Sequence, residues 1–125
     1  MPGFKTSKLI AIIDDNGSMQ DSLSDLVESA GFEAKSFGSA KAFLESDLSR
    51  RAACLVVDIR MPKMSGLELQ ARLNHEGCNV PIIFLTAYDD AEIRAQAMKE
   101  GAVEFLAKPF DHRLLLKILR GAVDR

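Results

Sequence analysis

The chain has 125 residues and a formal net charge of −2, with 47% hydrophobic and 27% charged residues. This length and composition are typical of one domain with its own hydrophobic core. Because phosphate binding requires clustered Lys and Arg, the nearly balanced charge argues against a nucleic-acid surface as the main feature.

A membrane or secreted protein is also disfavoured. No apolar run approaches the ~18 residues of a membrane span, and the N-terminus lacks the apolar segment of a signal peptide. The two cysteines, Cys54 and Cys78, are predicted to be free thiols in a reducing compartment. We therefore expect a cytoplasmic protein that binds neither membrane nor nucleic acid.

Segments of strand and helix character alternate five times along the chain. Continuous apolar runs such as Leu9–Ile13 are typical of strands buried on both faces of a sheet. Helices are indicated where apolar residues recur at helical spacing and a glycine such as Gly31 follows. The predicted strands are residues 9–13, 32–37, 53–57, 80–85 and 103–107, and the predicted helices are about 18–30, 40–48, 66–75, 90–100 and 111–123.

This alternation, with connections of only a few residues, predicts an α/β fold. Strands that alternate with helices form βαβ units and a parallel sheet, and right-handed crossovers place helices on both of its faces. No repeat, linker or low-complexity segment interrupts the pattern. We therefore expect residues 1–125 to form a single domain.

Polar or charged side chains stand at the ends of four of the predicted strands. Asp14 and Asp15 follow the first strand, Asp58 the third, Thr86 the fourth and Lys108 the fifth. Each alone has an ordinary explanation, since an aspartate often caps a helix or initiates a turn and a lysine is often solvated. Because the carboxyl ends of parallel strands meet at one edge of a sheet, we expect all five side chains to converge there.

Three clustered carboxylates require compensating positive charge. Two carboxylates ~4 Å apart repel by roughly 4 kcal/mol at an effective dielectric constant near 20. Lys108 supplies one positive charge, and oxygen ligands of this kind suit Mg²⁺, with Mn²⁺ as the alternative. Such a near-neutral site would accept a phosphoryl group on Asp58, with Lys108 and Thr86 contacting the phosphoryl oxygens.

Four motifs in order resemble the receiver domain of two-component response regulators. They are Ile13-Asp14-Asp15, the segment from Val56 through Asp58-Ile59-Arg60-Met61-Pro62 to Gly66, Leu85-Thr86-Ala87, and Lys108-Pro109-Phe110. The resemblance covers residues 8–123, and residues 58–62 and 104–110 look most like the FixJ-like subclass. It implies a flavodoxin-like (βα)5 fold, a doubly wound parallel sheet of five strands in the order 2-1-3-4-5.

The resemblance implies that Asp58 is the phosphoacceptor. It also implies that Mg²⁺ is held by Asp14, Asp15, Asp58 and the backbone carbonyl of Arg60. The protein would then be a signalling domain of a phosphorelay and not an enzyme, with at most slow self-dephosphorylation.

The resemblance further implies a switch formed by Thr86 and Phe105, in which Phe105 rotates inward when Thr86 moves toward the phosphoryl group. Lys108 would bind the phosphoryl group, and the Lys108–Pro109 peptide bond would be cis. A sensor histidine kinase or phosphotransfer domain would phosphorylate the chain. The face formed by the fourth helix, fifth strand and fifth helix would carry the signal, with a homodimer forming through the last helix.

Three alternatives are less well supported. A degenerate receiver that only binds a partner would usually have lost an acid, the threonine or the lysine, and all are present here. A phosphatase with an aspartyl nucleophile resembles an Asp-x-Asp pattern after the first strand, whereas Asp14 and Asp15 are adjacent. A flavin or nucleotide binder would need a glycine-rich loop there.

Two positions near the acceptor differ from many receivers, which carry an acidic or amide residue at position 60 and a tyrosine at position 105. We expect Arg60 and Tyr88 to flank Asp58 and to set how fast water reaches the acyl phosphate. Phe105 lacks a hydroxyl group, so only its packing can report its position.

The last two helices carry separate expectations. The helix at 90–100 has few apolar residues and should be among the least stable elements. On the last helix, Leu116 is expected to be exposed; a single exposed leucine usually has no function, and the alternative is a place in a partner or dimer face. The predicted core stripe, within about 140° of the helical wheel, is Leu114, Leu115, Ile118, Leu119 and Ala122.

Overall fold

The structure is a computed structural model that describes residues 8–124, without the side chains of residues 49 and 50. The described residues form five strands, five α-helices and a short 3₁₀ helix. In chain order these are β1 (Leu9–Ile13), α1 (Gly17–Ser29), β2 (Glu33–Phe37), α2 (Ala40–Glu45), the 3₁₀ helix (Asp47–Arg50), β3 (Cys54–Asp58), α3 (Gly66–His75), β4 (Ile82–Thr86), α4 (Ala91–Lys99), β5 (Glu104–Ala107) and α5 (His112–Val123).

The five strands form one parallel sheet in the order β2-β1-β3-β4-β5, as predicted. Its register brings the carboxyl ends of the inner strands level. Ile13 pairs with Val57, Asp58 with Leu85, and Thr86 with Ala107. The residues that follow β1, β3, β4 and β5 therefore meet at one edge.

Two core clusters cover the two faces of the sheet. Successive side chains of a strand point to opposite faces, so Ile10 and Ile12 lie in one cluster while Ala11 and Ile13 lie in the other. All four are fully buried, which explains why β1 is an unbroken apolar run. The same burial raises the pKa of the Cys54 thiol in β3 to about 12.

Two element boundaries differ from the prediction by two residues or more, for local reasons. The helix predicted to end near Leu48 ends at Glu45, because Ser46 is extended and its hydroxyl accepts from the Leu48 amide to begin the 3₁₀ helix. β4 begins at Ile82, because Pro81 has no amide hydrogen to donate. Pro81 takes part in the sheet only through its carbonyl, which accepts a hydrogen bond from Leu55 N.

The prediction for α5 was wrong at two positions. Leu115, Leu119 and Ala122 are buried as expected, but Leu114 is 43% exposed. Leu116 is half-buried against the core cluster that contains Ile10 and Ile12. These two leucines lie about 100° on either side of Leu115 on the helical wheel. Helical spacing therefore does not distinguish them, and packing against neighbouring residues covers Leu116 but not Leu114.

α4 buries few side chains, in line with its few apolar residues, and its low stability stays a prediction. Of the residues that the structure describes in α4, Ala97 alone is buried. Two side-chain amides of α3 reach its C-terminal end: Gln70 Nε2 donates to Ala97 O at 3.0 Å, and Asn74 Nδ2 donates to Glu100 O at 3.0 Å.

Across residues 8–124, the helices are too short or too polar for any of them to cross a bilayer.

Candidate functional site

Three carboxylates meet at the edge of the sheet where the inner strands end. Asp14 and Asp15 follow β1 directly, and Asp58 is the last residue of β3. One oxygen from each lies within 4.8 Å of the others. Asp14 is buried, Asp58 is half-buried and Asp15 is exposed, so the cluster opens to solvent on one side.

The loop between β3 and α3 fixes the position of Asp58. The Gly66 amide donates to Ile59 O at 2.8 Å and closes the loop. Ser65 then caps α3 through a capping box with Glu68. A Cβ on Gly66 would lie 2.6 Å from Asp58 O, so only glycine fits where α3 approaches the strand.

Lys108 brings positive charge to the three acids. Its Nζ lies 3.2 Å from Asp14 Oδ2 and 3.7 Å from Asp58 Oδ2. The Lys108 amide donates to Thr86 O at 2.7 Å, which ties the end of β5 to the end of β4. The peptide bond from Lys108 to Pro109 is cis, as predicted.

The pKa of Asp58 is raised above its ordinary value. Burial is the largest cause, and the negative charges of Asp14 and Asp15 add to it, while Lys108 and the Arg60 amide act in the opposite direction. A raised pKa means that Asp58 takes up a proton at a higher pH than an ordinary aspartate. Its carboxylate form is therefore lost earlier as the pH falls.

The donor set fits a hard divalent cation. Three carboxylates and the ammonium of Lys108 leave two negative charges, which a divalent ion would balance, and carboxylate oxygens are the ligands that Mg²⁺ prefers. Asp14 is oriented by its neighbours, since its Oδ1 accepts from Asn16 N at 2.9 Å and its carbonyl accepts from Gln20 Nε2 at 2.7 Å. The role of the Arg60 carbonyl stays a prediction.

Thr86 ends β4 beside the acidic cluster and is buried. Its Oγ1 accepts from Tyr88 N at 3.1 Å, so the hydroxyl hydrogen remains available for another acceptor. Tyr88 is 54% exposed, and the guanidinium carbon of Arg60 lies 3.8 Å from its ring centroid. The two residues predicted to flank Asp58 therefore contact each other as a cation–π pair.

The sequence matches the family described as the response regulator receiver domain over residues 10–120. The chain belongs to this family.

Curated relatives point to the same family. The chain is 44% identical over 114 residues to the transcriptional regulatory protein TdiR of Thauera aromatica, covering 91% of this chain and 50% of that protein. It is 40% identical over 114 residues to the transcriptional regulatory protein FixJ of Bradyrhizobium diazoefficiens, covering 91% of this chain and 56% of FixJ. The receiver therefore spans about half the length of the curated relatives that it matches.

Solved structures confirm the fold. The response regulator StyR has a TM-score of 0.88 and 40% identity, with 95% of this chain and 60% of that chain covered. FixJ-N has a TM-score of 0.87 and 35% identity, with 97% of both chains covered. These similarities agree with the FixJ-like motifs of the receiver.

Phe105 of the receiver lies on β5 and is fully buried. Its ring centroid is 6.5 Å from that of Phe84 on β4. The resemblance implied that Phe105 turns inward on phosphorylation, and this movement stays a prediction.

Sequence reasoning did not single out Arg94. In the structure its guanidinium carbon lies 4.8 Å from the Phe105 ring centroid, and its Nη1 donates to Phe105 O at 3.0 Å. Its Nη2 pairs with Asp89 Oδ1 at 3.2 Å. No motif signals these contacts, because Asp89 precedes α4 and Phe105 lies on another element.

Proposed function

We propose that Asp58 accepts a phosphoryl group from a sensor histidine kinase or a phosphotransfer domain. The observation that carries the proposal is the placement of Lys108 Nζ within 4 Å of both Asp14 and Asp58, beside a third carboxylate. A structural ion pair needs one carboxylate. Three acids around one lysine at a sheet edge suit a site that takes up further cationic charge and a phosphate.

The chemistry follows from the groups at the site. An Asp58 oxygen attacks the phosphorus of a phosphohistidine, a P–O bond forms as the P–N bond breaks, and the histidine nitrogen leaves with the electron pair and takes up a proton. Lys108 Nζ faces the oxygen of Asp58 and stabilises the developing negative charge. The Thr86 hydroxyl would donate to a phosphoryl oxygen, since its oxygen accepts from Tyr88 N and its hydrogen can serve another acceptor.

We propose that Mg²⁺, or Mn²⁺ in its place, is held by Asp14, Asp15, Asp58 and the carbonyl of Arg60. When bound, the ion neutralises phosphoryl oxygens during transfer. Asp14 is the most buried of the three acids, and its Oδ1 accepts a hydrogen bond from Asn16 N.

Phosphorylation by a small donor tests this proposal. With Mg²⁺ and acetyl phosphate or phosphoramidate, we expect one phosphoryl group on the wild-type chain and none on Asp58→Asn, measured as intact mass. Asp21→Asn, which changes an exposed carboxylate on α1, is the matched control and should be labelled like the wild type. EDTA should prevent labelling.

Two results would contradict the proposal. Equal labelling of the wild type and Asp58→Asn would show that the acceptor lies elsewhere. Continuous release of phosphate from many phosphoesters, with no lasting adduct, would indicate the phosphatase alternative.

We propose further that the receiver works in the cytoplasm as a single domain covering residues 1–125, with its core at 8–123. Its relatives include proteins named as transcriptional regulators that are about twice as long. We propose that phosphorylation here governs such an output through the face formed by α4, β5 and α5.

The proposed homodimer through α5 can be tested at Leu114. This side chain is 43% exposed on α5, whereas Leu116 packs on the core and is the wrong position for a probe. We expect Leu114→Asp to weaken association of the phosphorylated chain by about tenfold, as loss of one apolar contact costs about 1.4 kcal/mol. Lys117→Ala, on the same helix, makes the same change of −1 in net charge and serves as the control. Equal sedimentation of wild type and Leu114→Asp would exclude this surface.

We propose that the receiver dephosphorylates itself slowly and that the Arg60–Tyr88 pair limits the rate. The stacked pair lies beside Asp58, since the Arg60 amide donates to Asp58 Oδ1 at 3.4 Å. Arg60→Ala and Tyr88→Ala should each accelerate loss of phosphate about threefold to tenfold, and the double variant should add little. Phosphate decay after removal of the donor measures this, and unchanged decay in both single variants would refute it.

A further inference from the structure

We propose that Arg94 is a positioning residue of this receiver, which holds Phe105 in its buried orientation and joins that ring to the loop that follows Thr86. The part of the proposal that concerns phosphorylation rests on the proposed role of Asp58. The part that concerns Phe105 does not.

Arg94 contacts Phe105 in two ways. Its guanidinium lies against the ring, with Cζ 4.8 Å from the centroid, and Nη1 donates to the Phe105 carbonyl at 3.0 Å. The carbonyl bond fixes the guanidinium relative to β5. Because the guanidinium lies over the ring, it obstructs rotation of Phe105 away from Phe84.

The same guanidinium reaches the loop that follows β4. Nη2 lies 3.2 Å from Asp89 Oδ1. Asp89 is one residue after Tyr88, whose amide donates to the Thr86 hydroxyl. A displacement of Thr86 toward a group on Asp58 would therefore move Asp89, and Arg94 would transmit that displacement to Phe105.

The planar fork of arginine suits this arrangement. One terminal nitrogen serves a carbonyl and the other a carboxylate, while the face of the group stacks on a ring. The Asp89 end is a partly exposed pair and can break at little cost. The Phe105 end combines two contacts and should persist. We therefore expect the contacts of Arg94 with Phe105 on β5 to persist when the ion pair between Arg94 and Asp89 breaks.

Fluorine NMR of protein labelled with 4-fluorophenylalanine tests the Phe105 end. The chain has seven phenylalanines, and Phe105→Leu identifies the resonance of interest. In Arg94→Met we expect that resonance to shift and to gain a solvent isotope effect between H₂O and D₂O, since the ring loses its cover. Arg94→Lys keeps the charge without the fork and should give an intermediate result.

Arg72→Met is the matched control. Arg72 also forms a partly exposed ion pair on a helix, with Nε 2.7 Å from Glu76 Oε2. The control should leave the Phe105 resonance unchanged at a comparable unfolding midpoint. An identical Phe105 resonance in wild type, Arg94→Met and Arg72→Met would overturn the proposal.

Phosphorylation kinetics test the functional consequence. In Arg94→Met the rate of labelling by acetyl phosphate should fall about threefold to tenfold, equivalent to about 0.65 to 1.4 kcal/mol, while Mg²⁺ affinity stays the same. An unchanged rate beside a changed resonance would overturn the link to Thr86. If the wild type is not labelled at all, the role of Asp58 fails and the fluorine result alone decides the role of Arg94.

Asp89→Ala separates the two ends of the contact. It should leave the Phe105 resonance of the unphosphorylated chain in place and diminish its change on phosphorylation. A Phe105 resonance displaced as far as in Arg94→Met would contradict the expectation that the Arg94–Asp89 ion pair can break while Phe105 stays in place.

Discussion

Lys108→Met should slow phosphorylation by about 100-fold and lower the free energy of unfolding by about 2 to 3 kcal/mol. The ammonium lies between Asp14 and Asp58, with the Asp14 side chain 3% exposed and that of Lys108 17% exposed. Its loss would leave a buried carboxylate without its cation and remove the charge opposite the phosphoryl oxygens. Methionine keeps the length of the side chain, so the loss of charge dominates.

The pH dependence of the phosphorylation rate provides a second test of the role of Lys108. Lys108 lowers the pKa of Asp58, which burial has already raised. Without Lys108 that pKa rises further, so the Asp58 carboxylate is protonated at a higher pH. The acid limb of the rate profile should therefore move to higher pH in Lys108→Met.

Lys41→Met is the control for the Lys108 prediction. Lys41 is an exposed lysine on α2, 4.0 Å from Glu45. Urea denaturation and labelling rates at several pH values should separate the two variants clearly. A Lys108→Met chain with wild-type stability and acid limb would contradict the charge arrangement described above.

Gly66→Ala should lower the free energy of unfolding by about 2 to 4 kcal/mol and impair Asp58 as an acceptor. The new Cβ would lie 2.6 Å from Asp58 O, 3.1 Å from Ile59 Cα and 3.1 Å from the Phe84 ring. Two of these neighbours are backbone atoms, which cannot move aside as a flexible side chain can. Relief of the clash must displace either the start of α3 or the end of β3.

Gly121→Ala supplies a matched control for the Gly66 prediction. Gly121 lies inside α5, and a Cβ there would have no neighbour within 4 Å. Alanine should therefore stabilise the chain by up to about 1 kcal/mol. Chemical denaturation and phosphoacceptor labelling of both variants test the pair. A Gly66→Ala chain as stable and as readily labelled as Gly121→Ala would show that the close approach is not required.

The parallel sheet and the convergence of the site could be predicted because they depend on local patterns, whereas the strand order was implied by the family resemblance. β1, β3 and β4 are continuous apolar runs, since they are buried on both faces. Short connections between alternating elements leave few topologies. The carboxyl ends of the strands then place Asp14, Asp58 and Lys108 together without knowledge of a single side-chain contact.

The features that sequence reasoning missed depend on contacts between elements. Leu114 and Leu116 are the same residue type on either side of Leu115, and packing against neighbours distinguishes them. Arg94 looks like an ordinary helical arginine until β5 and the loop after β4 are placed beside it. Patterns within one segment contain no information about either arrangement.

The pairing of Lys108 with Asp14 also has a consequence for how the chain folds. The two residues are 94 positions apart in sequence, and the fifth strand must join the fourth before Lys108 reaches its partners. Because loop-closure entropy opposes contacts between distant residues, we expect this pairing to form late in folding. Ligands of this site would then bind after the rate-limiting barrier has been crossed, so they should prolong the lifetime of the folded chain while barely accelerating its formation.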